Sequence, residues 1–349
     1  MPQEVSGPTS TINYFGMKIF LTGATGFIGK NLLKSLIGEG HEVLALCRRE
    51  SNSGQLEKIG AKVLQKDLQD IKEQDLGDTE AIFHLAAIRY EWGHLPKDYE
   101  EVNVETTKNL LKIAEKTKIK KFIYGSSVFV FGYPRRIPID ETFSYAPTTE
   151  YARSKMKAER TVKKYSDECG LQTVIIRPTM TYGPEDTKGM LLKLAKLIKN
   201  KKFAIIGNGL NFIHLTHIDD VVRGFQKALQ TEIKSDDFII ASKKAVSQKD
   251  LIDLVAKELN VKIWPIRIPH WLAISVGYAN ETIYKLGMRL KIGYFFKEPF
   301  ISRSKVDIIS QSQIFSAEKA KKILGFEAKV DPEAGIRDTI NWYRENKYV

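Results

Sequence analysis

The stretch LTGATGFIGK, Leu21 to Lys30, limits what this chain can become more than any other. Gly23, Gly26 and Gly29 recur at every third position between an apolar run, Lys18 to Thr22, and an amphipathic one, Phe27 to Glu39. A strand that turns at once into a helix needs residues without a β-carbon where the backbone bends and where the two elements approach. A helix that opens on glycines also leaves its first N–H groups bare, with the positive end of its dipole behind them. That arrangement seats an anion such as the pyrophosphate of a dinucleotide. The spacing assigns Gly23 to the tight turn, Gly26 to the close approach and Gly29 to helix–strand packing. Thr25, Phe27 and Ile28 are expected beside the ligand.

The rest of the chain repeats this strand-then-helix rhythm. Strands are expected at Glu42–Cys47, Lys62–Lys66, Ala81–Ala86, Lys121–Ser126 and Thr173–Pro178, with helices at about 96–117 and 148–169. The strands are continuous Val, Ile, Leu and Phe rather than alternating apolar and polar. That marks a parallel sheet covered on both faces. The expected fold is therefore α/β, a doubly wound parallel sheet of the Rossmann type over residues 17–180. A smaller, irregular substrate lobe is expected over 181–349, with some segments returning to the sheet. Its helices are expected near 187–200, 247–258, 269–288 and 332–346. Residues 1–16 read as a flexible leader, polar and without a signal-peptide pattern, with Met17 as the working start.

The two cysteines, Cys47 and Cys169, have no metal-type spacing, so neither a disulfide scaffold nor a metal site is expected, and a reducing, cytoplasmic setting fits. No apolar run is long enough to span a bilayer. The net charge of +12 comes from lysines scattered over helix faces. Without a nucleic-acid module it points to solvated surface and to anionic small molecules rather than to nucleic acid.

Two further groups carry chemistry. Tyr151 and Lys155 stand four apart in an expected helix and so share one face. A free phenol has a pKa near ~10, and a neighbouring ammonium lowers it. Tyr151 is thus expected to move a proton, tuned by Lys155. Ser126 and Ser127 lie at the C-terminal end of an expected strand, the edge beyond which open parallel sheets bind ligands. A hydroxyl there can stabilise charge on a substrate oxygen. His84 ends another strand and is expected to be structural.

These motifs, in this order, resemble the extended short-chain dehydrogenases/reductases, the superfamily of NAD-dependent epimerases and dehydratases, from Lys18 to the C-terminus. The segment NFIHLTHIDDVVRG, Asn211 to Gly224, is closest in feel to the 3β-hydroxysteroid dehydrogenase and dihydroflavonol-reductase-like branch. The resemblance implies a catalytic set of Ser127, Tyr151, Lys155 and Asn103. Ser127 is chosen over Ser126 because the family's serine precedes the segment's glycine, Gly132, by five. Lys155 would also hold the nicotinamide ribose. The resemblance further implies cofactor contacts at Asp67 and Leu68 for the adenine, and at Leu85, Ala86, Ala87 and Pro178. A homodimer is the family's common state.

The second strand ends in Arg48 and Arg49, where a carboxylate would receive the ribose hydroxyls of NAD. Guanidinium groups there suit the 2′-phosphate of NADP, the expected cofactor. Glu50, one step later, would serve NAD. Nucleotide-sugar members of the family carry an asparagine where this chain has Met180, and an arginine near Ile213. The expected function is therefore hydride transfer between a nicotinamide and a secondary alcohol or ketone, the substrate being an apolar small molecule. The alternatives are a nucleotide-sugar 4-epimerase with tightly held NAD and a non-catalytic dinucleotide-binding scaffold.

Overall fold

Seven short apolar segments pair side by side to form the centre of the protein. A computed structural model of the chain describes residues 16–49, 53–89, 92–263, 266–289 and 301–349. The expected leader thus lies outside the described residues except for Gly16, and Glu50 lies outside them as well. The strands are β1 (Lys18–Thr22), β2 (Glu42–Cys47), β3 (Lys62–Gln65), β4 (Ala81–His84), β5 (Lys121–Gly125), β6 (Gln172–Pro178) and β7 (Ser235–Ile240). They run in the order β7-β6-β5-β4-β1-β2-β3, and every neighbouring pair is parallel. The order reverses between β1 and β4, so the crevice that a doubly wound sheet offers a ligand opens there, at the C-terminal ends of the strands.

Both faces of the sheet are covered, as the unbroken apolar strands require. Helix α1 (Phe27–Gly38) lies on one face, where Leu32, Leu33 and Leu36 are buried with Phe83 and Phe238. On the other face lie α2 (Thr106–Lys116) and α3 (Glu150–Cys169), which bury Leu110, Ala158 and Val162 against Phe20 and Phe122. Helix α2 continues a short helix, Pro96–Tyr99, through one π-helical stretch, Glu100–Glu105.

Two elements beyond residue 180 belong to this sheet. Strand β7 pairs along all of its length with β6, and α4 (Ile218–Gln230) covers the sheet beside α1. The buried Lys121 at the start of β5 donates to the carbonyls of Ala228, Leu229 and Thr231, where α4 ends. A cation at a helix C-terminus meets both the orphan carbonyls and the dipole. Burial still pulls its pKa down to about 8.

The remaining segments form a second core. Helices Met190–Lys199, Gln248–Glu258 and Pro332–Glu345 bury Leu191, Leu251, Val255, Ile336 and Ile340 together. Beside it, α5 (His270–Arg289) packs on α6 (Arg303–Ser310) around Ala273 and Val306.

Candidate active site

The glycine turn forms where the spacing puts it. Gly23 has φ +75°, and a β-carbon there would lie 2.7 Å from the nitrogen of Ala86. A β-carbon on Gly29 would lie 2.1 Å from the carbonyl oxygen of Gly23. Gly29 therefore packs α1 closely on the turn that leaves β1. Gly26 caps α1 with an extended backbone and no side-chain cap, and both it and Thr25 are exposed. The first N–H groups of α1 thus face the crevice without a protein acceptor from the cap, while Phe27 and Ile28 pack partly on the core beneath. The turn fits a pyrophosphate.

At the adenosine end, the structure departs from the NADP expectation. Arg49 donates from Nη2 to Asp70 at 2.7 Å, and its Nε lies 3.8 Å from an Asp67 oxygen. One of the two expected phosphate ligands is therefore committed to two carboxylates, which would themselves repel a 2′-phosphate. Asp67, expected at the adenine, turns its carboxylate toward Arg49 and begins the short 3-10 turn that buries Leu68. Arg48 is exposed.

The segment leaving β4 is tied down by a chain of hydrogen bonds. Thr107 donates to the carbonyl of Asn103 at 2.7 Å, so it accepts from His84 Nε2 at 2.9 Å. Burial drives His84 down to about 3, so it is neutral and its Nδ1 accepts from Thr22 at 2.7 Å. Thr22 in turn accepts the N–H of Ala86 at 3.2 Å. His84 is a spacer with both nitrogens used. Asn103 completes the clamp. Its Oδ1 accepts from the Ile88 N–H at 2.8 Å, and its Nδ2 donates to Ile88 O at 3.0 Å and to Ser154 at 2.8 Å. Its amide is spent on Ile88 and α3, which makes it a positioning group. Leu85, Ala86 and Ala87 are thereby held half-buried opposite the glycine turn, with Pro178 buried at the end of β6.

Thr149 caps α3 by accepting the Ala152 N–H at 3.1 Å, which sets Tyr151 in the first turn and Lys155 in the next. Ser127 leaves β5 in an extended conformation, with its hydroxyl accepting the Phe129 N–H at 3.3 Å and near enough to the Tyr151 phenol to favour its ionisation. The fold thus brings serine and tyrosine to the same edge of the sheet, with Tyr151 still partly exposed. The tuning does not follow the expected route. Burial pushes Tyr151 up to about 12; the Ser127 hydroxyl and the charge of Arg89 oppose it. Lys155 instead donates to the carbonyl of Gly125 at 2.7 Å, with its Nζ 4.7 Å from the centre of the Tyr124 ring. Burial lowers it to about 7, against the pull of Glu159. A lysine that loses its charge near neutrality cannot supply the full cationic field that an acidic phenol needs.

Beneath this pair lies a buried charge network. Arg177 holds Glu159 through Nε at 2.9 Å and Nη2 at 2.6 Å, and reaches Asp237 as well. Tyr145 donates to Glu159 at 2.7 Å, and Ser126 donates to the same carboxylate. Ser126 is therefore structural, and it anchors the backbone that presents Ser127. Two residues here escaped the sequence reading. Glu159 follows Lys155 by one helical turn, a period already visible in the sequence. Arg89 is near enough to act on both Tyr151 and Asp186, and its only signal was its place on a segment leaving the ligand edge of the sheet.

Ile213 is a core position, and Met180 is half-buried against the same core. Met180 pairs with Leu215 in a two-stranded parallel sheet, and Ile213 is buried in the core of the second lobe.

Comparison with known proteins identifies the family and the fold. The model of the NAD dependent epimerase/dehydratase family matches residues 19–241. The sterol-4-alpha-carboxylate 3-dehydrogenase, decarboxylating, of Candida albicans is 30% identical over 80% of this chain and 81% of its own length. An undecaprenol-linked N-acetylglucosaminyl 4-epimerase of Escherichia coli is 28% identical over 77% of this chain and 80% of its own. The structure of a UDP-glucuronic acid 4-epimerase of Bacillus cereus in complex with NAD superposes with a TM-score of 0.76, covering 95% of this chain and 99% of that one at 21% identity.

Proposed function

Since the chain belongs to the NAD dependent epimerase/dehydratase family, we propose that it is a ketone reductase or alcohol dehydrogenase acting on an apolar secondary alcohol or ketone. The observation that carries this reading is the approach of Ser127, at the C-terminal end of β5, to the phenol of Tyr151 in the first turn of α3. When bound, the nicotinamide accepts or delivers the hydride. The protein's own groups do the rest. Ser127 donates to the substrate oxygen and so stabilises the charge that grows on it. Tyr151 is a neutral phenol at neutral pH and gives its proton to that oxygen as the carbonyl is reduced; in the other direction its phenolate takes the proton back. Asn103 and the His84 chain hold the rim, and Lys155 fixes the end of β5 from which Ser127 projects.

The apolar side of the proposal rests on Met180 and Ile213. A thioether and a buried isoleucine cannot meet the diphosphate of a nucleotide sugar. The epimerase reading stays as the second one because three relatives carry a 4-epimerase activity in their names, two of them on UDP-glucose. For the cofactor, the engagement of Arg49 by Asp67 and Asp70 favours NAD, and exposed Arg48 is the group that would admit NADP.

The test is a comparison of purified wild type with Tyr151→Phe. Cyclic and long-chain ketones are offered with NADH or NADPH, and UDP-glucose is offered with no added cofactor. The proposal expects ketone-dependent oxidation of the dinucleotide that the variant loses. Interconversion of UDP-sugars without added cofactor would replace it with the epimerase, and reductase activity equal in both proteins would remove Tyr151 from its role.

A further inference from the structure

Helix α5 turns a bare apolar face outward. Trp271, Leu272, Val276, Tyr278, Ile283 and Leu286 are all exposed, Trp271 at 69% and Tyr278 at 61%. At about 100° per residue they fall on one continuous arc, shared with the small or hydroxylated Ser275, Ala279 and Thr282. The helix is not waiting to be buried by its own fold, because its other side is already fixed. A β-carbon on Gly277 would lie 2.7 Å from the nitrogen of Arg303, at the start of α6. Asn280 donates to Ile301 O at 2.9 Å, and Tyr284 meets Trp92 edge-on at 4.9 Å.

The segment of sequence that holds this helix is basic. Residues 262–305 contain eight lysines and arginines against two glutamates, and so carry half of the chain's net charge of +12. Among the described residues no helix is long and apolar enough to cross a membrane. An exposed arc with Trp and Tyr on it, set in a basic segment, is the composition of a helix that lies in a membrane interface. Apolar side chains enter the acyl boundary, aromatic rings sit at headgroup level, and lysines and arginines meet lipid phosphates.

We infer that the outer face of α5 docks this protein on an anionic lipid surface, with the helix in the plane of the interface. A second copy of the chain is the poorer occupant. Pairing α5 on α5 would bring two basic segments within a Debye length of about 8 Å, where like charges repel.

The experiment reads lipid binding, not turnover. Full-length protein is sedimented with vesicles of phosphatidylcholine alone and with an equimolar mixture of phosphatidylcholine and phosphatidylglycerol, at low and high salt. The same is done with the surface variant Trp271→Ser/Ile283→Ser/Leu286→Ser, whose folding is followed by circular dichroism and whose size is followed by light scattering. The wild type is expected to sediment with the mixed vesicles and to be released by salt. The variant is expected to lose at least about a hundredfold in partition coefficient, because three apolar side chains no longer enter the bilayer. Wild type that stays in solution, or a folded variant that binds equally well, overturns the inference. A wild-type dimer that the variant turns into a monomer overturns it in favour of the second copy.

Discussion

Lys155 ends on Gly125: its Nζ lies 2.7 Å from that carbonyl oxygen, across the face of the Tyr124 ring. The residue expected to acidify Tyr151 thus props the end of β5, and the charge acting on the phenol belongs to Arg89.

Removing the phenol tests the chemical step. Tyr151→Phe should lower kcat by about 10²–10⁴, the usual worth of a positioned general acid, and leave dinucleotide binding intact. Stopped-flow reduction of a ketone, alongside a fluorescence titration with the dinucleotide, separates the two effects. Loss of binding with unchanged kcat would contradict the assignment.

Arg89 should govern the pH dependence. Its positive charge favours the phenolate, so Arg89→Ala should move the Tyr151 ionisation upward, by about one pH unit or less because the side chain is exposed to solvent. In a kcat profile for alcohol oxidation, the rising limb would shift to higher pH. A limb that stays in place would exclude Arg89 as the tuning charge.

Lys155 predicts how stability varies with pH. Its folded pKa of about 7 lies below its value in the unfolded chain, near ~10.4. Below the folded value both states hold the proton and the desolvation cost is fully present. Between the two values the unfolded chain binds the extra proton, so folding is stabilised as pH rises through this window. The sign follows from charge: the unfolded chain keeps its proton while the folded one gives it up, and stability rises with pH wherever the unfolded state holds more protons. From about pH 7 to about pH 9 the wild type should therefore gain on the order of 2 kcal/mol relative to Lys155→Met. Lys121 adds to the slope in the same direction in both proteins. Urea titrations of the two at each pH give the difference, and parallel curves would refute it.

The glycine turn has a sharp internal control. Gly29→Ala places a carbon 2.1 Å from the Gly23 carbonyl oxygen, whereas a β-carbon on Gly38, at the end of the same helix, would meet nothing within 4 Å. The first change should cost on the order of 3 kcal/mol and abolish dinucleotide binding, and Gly38→Ala should stay within about 1 kcal/mol of wild type. Calorimetry with and without dinucleotide distinguishes them.

Arg177 sits between two buried carboxylates, Glu159 and Asp237. Arg177→Met strands both and should destabilise by about 3–5 kcal/mol, and adding Glu159→Gln and Asp237→Asn should recover part of that loss. Chemical denaturation of the single and triple variants is the measurement, and a fully additive loss would argue against a shared network.

Local sequence determined much of this protein. Continuous apolar strands, the glycine turn of Gly23, Gly26 and Gly29, and a tyrosine and lysine one helical turn apart are short-range patterns, and a chain this regular folds them as they read. Ser127 and Tyr151 met because β5 and α3 are adjacent elements of that pattern. Tertiary structure alone decided which charges face which. That β7 completes the sheet, that Arg49 answers Asp67 and Asp70, and that Lys155 turns to Gly125 depend on contacts between residues distant in the chain or on where a long side chain finds its acceptor. The field at a buried phenol is set by distance and desolvation in three dimensions, and the order of residues encodes neither directly.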